Sequence, residues 1–234
     1  ESRSAKEIKM CVTVFKRYEL KYLIDKAKFN ELIAKAAGRL KPDEYGKSTV
    51  LSLYYDTDDF RLIRRSIEAP EYKEKLRLRS YGALSVGGTA FLELKKKYEG
   101  VVYKRRVKLG KSEVVSGAVG NGQIAEEIKY FKKFYGNPTP KFLIIYDRLA
   151  FSGENDLRVT FDTNIRYRID RLSLNSGLDG TPIISENEVL MEIKTGSAIP
   201  LWLAKILSEL KIYKTSFSKC GEAYKAELIK NKTG

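Results

Sequence analysis

Alternating hydrophobic and polar positions run through much of the chain and predict a protein built mainly from β-strands. Eight segments alternate with a period of two and are rich in β-branched and aromatic residues, as half-buried strands are. We expect these strands at Val12–Tyr22, Thr49–Tyr55, Tyr72–Tyr81, Ala90–Lys97, Val101–Leu109, Lys141–Phe151, Asp156–Tyr167 and Val189–Thr195. The tripeptide Tyr98-Glu99-Gly100 predicts a hairpin turn between the fourth strand and the fifth.

Helical spacing of apolar residues occurs between and after the strands. The segment Asp25–Gly38 begins with an aspartate suited to an N-cap and ends at a glycine. Further helices are expected at Gln123–Phe134, Leu201–Leu210 and Lys219–Ile229, with shorter ones at Asp58–Arg65 and Ser112–Val119. No linker rich in Pro, Gly or Ser divides the chain, so we expect a single domain over residues 1–234. The pattern predicts an α+β fold, an eight-stranded antiparallel β-barrel with flanking helices.

Charge narrows the classes of function. The 234 residues contain 44 Lys and Arg against 30 Asp and Glu, a net charge of +14, and no histidine. Such an excess predicts a polyanionic partner. The absence of histidine excludes a Ser-His-Asp triad, a Cys-His nucleophile and His-ligated zinc. Any metal is then expected to be a hard cation on oxygen ligands.

Two further features bear on location. The two cysteines, Cys11 and Cys220, are typical of a reducing compartment and indicate a cytoplasmic protein. No apolar run approaches the roughly 20 residues of a membrane span, and the first residues lack the apolar core of a signal peptide. We therefore expect no membrane segment in this chain, and a membrane-associated partner is left open.

The cations concentrate on one face of most strands. In Tyr72–Tyr81, for example, Lys75, Arg77 and Arg79 share a face, with leucines opposite. The inward-facing basic candidates are Arg17, Lys21, Arg77, Arg79, Lys95, Lys104, Arg106, Arg148, Arg158, Lys194 and Lys219, against the acids Glu19, Glu93, Asp162 and Glu192. The alternative is that these are solvated outer faces, but such faces normally mix the two signs. We therefore predict a basic tunnel, in which a bound polyanion offsets the cost of burying the cations.

Eight sequence strings also carry a family resemblance. They are FKRYELKYLID (15–25), KLRLRSYG (75–82), FLELKKK (91–97), YKRRVKL (103–109), YDRLAF (146–151), LRVTFD (157–162), MEIKTG (191–196) and SFSKCGEAY (216–224). In this order the set resembles the catalytic domain of the vacuolar transporter chaperone (VTC) polyphosphate polymerases. These belong to the triphosphate tunnel metalloenzymes, whose fold is an eight-stranded antiparallel barrel around a basic tunnel.

The resemblance implies synthesis of inorganic polyphosphate from ATP with a divalent metal, Mn²⁺ or Mg²⁺. Motif by motif, it implies phosphate-gripping roles for Arg77, Arg79, Lys95, Lys104, Arg148 and Arg158, and contacts with terminal phosphates for Ser218 and Lys219. Glu192 matches the metal-binding glutamate. We add Arg17, Lys21, Arg106, Tyr146 and Lys194 as substrate-binding candidates. Glu19 and Glu93 are either metal ligands or salt-bridge partners that orient Lys21 and Lys95.

One departure from the wider superfamily separates the possible activities. Relatives that hydrolyse triphosphate or cyclise ATP carry E-x-E-x-K on the first strand, whereas this chain has Arg17 where the first glutamate would be. That argues against a hydrolase or cyclase of that type. A tripolyphosphate or nucleoside triphosphate hydrolase of the same fold stays open, as does a non-catalytic module that binds polyphosphate or inositol phosphates. Nucleic-acid binding ranks last, because no recognition helix or nucleic-acid fingerprint occurs.

Overall fold

The predicted strands and helices are present, most of them with small shifts of their ends. The computed structural model describes residues 18–68, 71–99, 101–196 and 198–233. The strands are β1 Tyr18–Asp25, β2 Lys41–Asp56, β3 Tyr72–Tyr81, β4 Thr89–Tyr98, β5 Val101–Gly110, β6 Thr139–Ser152, β7 Arg158–Arg168, β8 Thr181–Pro182 and β9 Glu188–Thr195. The helices are α1 Lys26–Lys35, α2 Arg61–Ile67, α3 Lys111–Ser116, α4 Gln123–Phe134, α5 Leu201–Glu209 and α6 Lys219–Thr233.

Eight long strands form one antiparallel sheet with the order β1-β9-β7-β6-β2-β3-β4-β5, and the short β8 pairs with β7. This confirms the α+β fold with an eight-stranded antiparallel sheet and flanking helices. Among the described residues, however, the backbone ladder does not close between the edge strands β1 and β5. Contact across the gap is made by side chains, since Lys95 of β4 donates to Glu19 of β1 at 3.2 Å.

Part of the free edge of β1 is covered by the segment before α6, where the backbone N–H of Thr215 donates to the carbonyl oxygen of Lys21 at 2.8 Å. The other edge strand, β5, carries Lys104, Arg105 and Arg106 in succession.

Hydrophobic residues on the outer face of the sheet pack against the helices. Ile128 and Phe131 of α4 join the leucines of β3 and β4 in one cluster of buried side chains. Leu32 of α1 and Leu203 of α5 pack against β7 and β9 in a second cluster, and Ala223 of α6 belongs to a third. Because side chains alternate along a strand, burial of these apolar positions turns the charged positions to the inner face.

Local signals at the helix ends behave as the sequence predicts. Asp25 caps α1, and its carboxylate accepts a hydrogen bond from the backbone N–H of Lys28 at 2.7 Å. Gly38, which follows α1, has a φ of +79°, a conformation that favours glycine.

Two elements differ from expectation. Strand β2 begins at Lys41 rather than Thr49, and its register with β6 shifts between Pro42 and Lys47. Pro42 and Gly46 interrupt the alternation there, which is why the pattern showed only the second half of the strand. The short β8 lies in a segment expected to be a loop. The predicted start of the first strand at Val12, with Cys11 and Arg17, lies outside the described residues. No helix within the described part of the chain is long and apolar enough to cross a membrane.

Candidate functional site

The inner face of the curled sheet encloses a cavity of about 720 Å³, including its open mouth. Its lining residues come from six strands, β1, β2, β3, β4, β6 and β9, and from the start of α6. They are Glu19, Lys21, Tyr54, Lys75, Arg77, Arg79, Lys95, Tyr146, Arg148, Glu192, Lys194, Ser218 and Lys219. The structure thus brings together eleven of the sixteen predicted site residues. Lys104, Arg106, Arg158 and Glu93 lie outside this lining, and Arg17 is not among the described residues.

Glu93 lies opposite Arg77 on the inner face of the sheet, outside the cavity lining, and contacts a cluster of cations. Its side chain is 1% exposed. The nitrogens nearest its carboxylate belong to Lys104 at 2.6 Å, Arg77 at 2.8 Å, Arg106 at 3.4 Å and Arg79 at 3.8 Å. Burial would raise the pKa of Glu93, but the positive charges of Arg77, Arg79 and Lys104 outweigh burial and lower it to about 2. Glu93 therefore stays ionised and fixes two arginines that face the cavity.

A second buried carboxylate, Asp162 of β7, holds two more cavity cations. Arg148 donates from Nε and Nη2 to its two oxygens at 2.6 and 2.8 Å, a bidentate pair. Lys219 Nζ lies 2.6 Å from the same carboxylate. Burial raises the pKa of Asp162, but the charges of Lys219 and Arg148 outweigh it, so the pKa lies below its usual value. Asp162 appeared in the sequence only as one acid among many cations, and its partners depend on strand register.

Tyr146 lies among the cations of the cavity. Its hydroxyl accepts a hydrogen bond from Arg79 Nη2 at 3.3 Å. Arg148 and Lys219 lie 5.1 and 4.6 Å from its ring centroid, within range of cation–π attraction. Burial would raise the pKa of this hydroxyl, but the charges of Arg79 and Arg148 lower it to about 8.

Glu19 and Glu192 form the carboxylate side of the cavity. They lie on the neighbouring strands β1 and β9, where Glu19 is opposite Lys194 and Lys21 is opposite Glu192. Lys194 lies 3.1 Å from Glu192, and Lys95 lies 3.2 Å from Glu19. Burial raises the pKa of Glu192, but the positive charges of Lys194 and Lys21 outweigh burial and hold it well below its usual value.

This carboxylate pair has the donor chemistry of a site for a hard divalent cation. Magnesium-like ions use one or two protein carboxylates and complete their shell with water and substrate phosphate oxygens. No group of three or more Asp, Glu, Cys or His in the described segments could form a protein-only metal cage. Of the three predicted metal ligands, the structure brings Glu19 and Glu192 together at the cavity, whereas Glu93 is surrounded by cations.

Two residues of the cavity lining were not among the site residues that the sequence predicts. Lys75 donates from Nζ to the Ser218 hydroxyl at 3.1 Å, and burial lowers its pKa to about 8. Tyr54 accepts from Arg77 Nη1 at 3.1 Å. Lys75 could have been found from its position on the same strand face as Arg77. Tyr54 gave no comparable signal, because tyrosines are common in strands.

A second chamber of about 1200 Å³ adjoins the first and shares five of its lining residues. The shared residues are Glu19, Lys21, Lys75, Lys95 and Ser218. Beyond them, the wall adds Lys73, Lys97 and Lys214, together with hydroxyl groups of Ser66, Thr215 and Ser216. The lysines of this chamber present point charges rather than the planar, bidentate donors of arginine. Both chambers are basic and share this part of their walls.

With this geometry in hand, the chain was compared with known proteins. A family model described as the VTC domain matches residues 16–228. The chain belongs to the VTC domain family. No curated protein matches this VTC domain.

Solved structures show which fold the VTC domain shares. A "putative adenylate cyclase" from Bacillus halodurans superposes with a TM-score of 0.57 at 17% identity, covering 86% of this chain and 92% of that one. A "putative adenylyl cyclase" from Hippeastrum, whose structure is described as revealing a dominant triphosphatase activity, gives a TM-score of 0.49 at 16% identity, covering 86% and 91%. At these identities the first likeness shows a shared fold and nothing finer.

Arg158 has a different environment from the other predicted residues of this VTC domain. It lies opposite Lys194 in the pairing of β7 with β9, so it continues the inner face beyond the cavity lining. Its Nη2 donates to Asp43 at 2.7 Å, and its side chain is 43% exposed. Arg158 therefore lies next to the cavity with its charge already paired.

Proposed function

We propose that this VTC domain is a polyphosphate polymerase that transfers the γ-phosphate of ATP to a growing polyphosphate chain. The observation that supports the proposal is one cavity lined by eight Lys and Arg side chains with only two carboxylates, Glu19 and Glu192. Phosphoryl transfer requires alignment of donor and acceptor and neutralisation of the charge on the phosphate oxygens. It requires no histidine and little covalent work from the protein.

The cations are oriented before any substrate binds. Glu93 holds Arg77 and Arg79, and Asp162 holds Arg148 and Lys219. Donors held in place by the protein stabilise developing charge without reorganising during the reaction. In the proposed mechanism, Arg77 and Arg79 bind the phosphates of the donor from one side, and Arg148 and Lys219 bind from the other.

Glu19 and Glu192 would hold Mn²⁺ or Mg²⁺. When bound, the metal supplies further neutralisation of charge on the phosphate oxygens. Lys95 and Lys194 contact the same two carboxylates, and so they keep both carboxylates pointed at the cavity. These two lysines then bind phosphate oxygens on either side of the carboxylate pair.

The lysine-rich second chamber favours transfer of the phosphate to a growing chain over transfer to water. An acceptor chain must move by one phosphate after each transfer, and point charges from Lys73, Lys97 and Lys214 bind it without fixing one register. In this proposal the acceptor chain lies along these lysines. Its terminal oxygen attacks the γ-phosphorus of ATP while the bond to the β,γ-bridging oxygen breaks, so that ADP leaves and the chain is one phosphate longer. We place the reaction in the cytoplasm, because the proposed donor is ATP, and a membrane-associated partner could receive the chain.

The test is incubation of the protein with ATP and Mn²⁺, followed by measurement of ADP and of phosphate chain length on a gel. ADP with long chains is the expected result. If the products are ADP and free phosphate without chains, the activity is that of a triphosphate hydrolase and not of a polymerase. Tripolyphosphate binding with no turnover would leave a binding module.

Two substitutions connect the activity to the cavity. Arg79→Ala and Glu192→Gln should each abolish turnover while thermal unfolding remains cooperative. Lys129→Ala is the matched control, because Lys129 is an exposed cation that pairs only with Glu126 on α4 among the contacts described. Full activity in either cavity variant would refute the assignment of the polymerase activity to this cavity.

A further inference from the structure

Two aromatic residues continue the inner face of the sheet next to the arginines of the cavity. Side chains alternate along a strand, so Tyr81 lies on the same face of β3 as Arg77 and Arg79. Phe91 is the register partner of Arg79 on β4. Neither aromatic residue belongs to the cavity lining itself. Both therefore border the arginine end of the cavity.

Phe91 carries a guanidinium on the face of its ring. The Cζ of Arg106 lies 3.5 Å from the ring centroid of Phe91, a distance of van der Waals contact. The Nε of Arg106 lies 3.4 Å from the carboxylate of Glu93, so an ion pair also holds the guanidinium in place. The ring of Tyr81 meets Phe91 edge to face, with centroids 6.2 Å apart and planes at 75°. Tyr81, Phe91 and Arg106 thus form one platform.

A ligand has access to this platform. Tyr81 is 49% exposed, and the side chain of Arg106 is 38% exposed. Neither Tyr81 nor Phe91 belongs to any of the three clusters of buried apolar side chains in the described part of the chain. Packing of the core therefore does not account for two aromatic rings on an otherwise cationic face.

Flat π-surfaces favour flat ligands. Nucleobases stack on aromatic rings and on the guanidinium planes of arginine, and such stacking tolerates every base because every base has a π-face. A linear polyphosphate has no π-face, so the two rings contribute nothing comparable to its binding. The platform is therefore suited to a nucleotide rather than to an inorganic phosphate chain.

The platform lies where a nucleotide with its phosphates in the cavity would carry its base. Residues directly opposite each other in antiparallel strands have Cβ atoms about 4.5–5.5 Å apart, so Phe91 is close to Arg79. A triphosphate held by Arg77 and Arg79 thus brings its nucleoside to Phe91. The second chamber, with Lys73 and Lys97, lies towards the opposite ends of β3 and β4.

We propose that Tyr81, Phe91 and Arg106 form a platform on which the base of the donor nucleotide stacks. Stacking depends on the area of the base and not on its hydrogen-bonding edge. Adenine and guanine nucleotides should therefore bind alike, and pyrimidine nucleotides more weakly. The inference rests on the proposed function in taking a nucleoside triphosphate as the donor.

The test is calorimetric titration of the protein with ATP and, separately, with tripolyphosphate, both in the absence of metal. Phe91→Leu and Tyr81→Leu keep an apolar side chain and remove the π-face. Arg106→Lys keeps the charge and removes the guanidinium plane. In each variant the affinity for ATP should fall by about fivefold, whereas the affinity for tripolyphosphate should change by less than about twofold.

Tyr98→Leu is the matched control. Tyr98 is 47% exposed on the same strand as Phe91, but it lies on the outer face and meets the ring of Tyr72 edge to face. Its replacement should change neither affinity. Wild-type protein should bind GTP as it binds ATP, and CTP about threefold more weakly.

Three results would overturn the platform. They are equal losses of affinity for ATP and tripolyphosphate in the variants, unchanged ATP affinity in both Phe91→Leu and Arg106→Lys, and a loss of ATP affinity in Tyr98→Leu as large as that in Phe91→Leu. Because the variants are compared with two ligands, a variant that misfolds loses both affinities, and thermal unfolding identifies it. The other two variants then decide the question.

Failure of this inference is distinguishable from failure of the proposed function. The titrations measure binding alone and need no chain growth. If the protein makes no chains but its variants lose affinity for ATP and not for tripolyphosphate, the polymerase proposal fails and the platform stands. If the protein makes chains and its ATP affinity is unchanged in the platform variants, the polymerase proposal stands and the platform fails.

Discussion

Replacing Glu93 by Gln removes one negative charge from a buried site where four cations meet. Arg77, Arg79, Lys104 and Arg106 each have a nitrogen between 2.6 and 3.8 Å from this carboxylate. Breaking a buried ion pair by removing one partner costs about 3–5 kcal/mol, because the remaining charge is left uncompensated. Gln keeps the shape and one acceptor oxygen, so we expect a loss near the lower end, about 3 kcal/mol. In a chain of this size that lowers the Tm by roughly 6–12 °C.

The pKa of Glu93 gives an independent route to the same quantity. It lies at about 2 in the folded protein, against an ordinary value of 4.5. A carboxyl group whose pKa is lowered by folding stabilises the protein at every pH above the pKa that the group has in the unfolded chain. That stabilisation is lost as the pH falls from 4.5 towards 2. A difference of this size corresponds to about 3 kcal/mol. Glu93→Gln should therefore lose most stability at neutral pH and approach the wild type near pH 2.

The assay is thermal and urea unfolding of both proteins between pH 2.5 and 7.5. Glu126→Gln is the control, because Glu126 is an exposed carboxylate paired with Lys129 and should change stability by less than about 0.5 kcal/mol. Tripolyphosphate should raise the Tm of Glu93→Gln more than that of the wild type, since the ligand restores negative charge beside Arg77 and Arg79. A Glu93→Gln protein within about 1 kcal/mol of the wild type at pH 7 would refute the reasoning.

Two other predictions concern proton linkage and orientation. Burial lowers the pKa of Lys75 to about 8, so Lys75 loses its charge and tripolyphosphate affinity should fall as the pH rises from 7 to 9. Lys75→Arg should make the affinity less dependent on pH over this range. Titration calorimetry at both pH values measures the effect. Asp162→Asn adds positive charge but frees Arg148 and Lys219, so turnover with ATP should drop by at least about tenfold although tripolyphosphate still binds. Turnover that rises in Asp162→Asn would mean that total charge, and not orientation, limits the reaction.

The sequence predicts the strands and the inner face well for a simple geometric reason. Alternation has a period of two, so a row of cations such as Lys75, Arg77 and Arg79 opposite leucines already specifies which side is buried against apolar groups. The same rule led to Glu192 and Lys194 on β9. Local cap chemistry likewise specified the start of α1 at Asp25.

Pairings between distant segments could not be predicted in the same way. Asp43 and Arg158 are 115 positions apart, and their contact depends on a shift in register in a part of β2 where no alternation is visible. The strands on either side of β4 decide whether Glu93 binds a metal or forms salt bridges with cations. The order of those strands is a property of the whole sheet. Strand order and bulges follow from tertiary packing, which a one-dimensional pattern does not contain.

The charge balance of the cavity links the stability of this domain to its ligand. Eight cations line the cavity against the four buried or lining carboxylates Glu19, Glu93, Asp162 and Glu192, an excess of four positive charges, and Lys104 and Arg106 add to that excess because they share Glu93. That excess destabilises the free protein and is close to the charge of a nucleoside triphosphate or tripolyphosphate. A ligand that binds only the folded state stabilises it by mass action. The same uncompensated charge that costs stability in the free domain thus becomes affinity for a polyanion. Because these charges are partly buried, salt should weaken that affinity less than it weakens a surface ion pair.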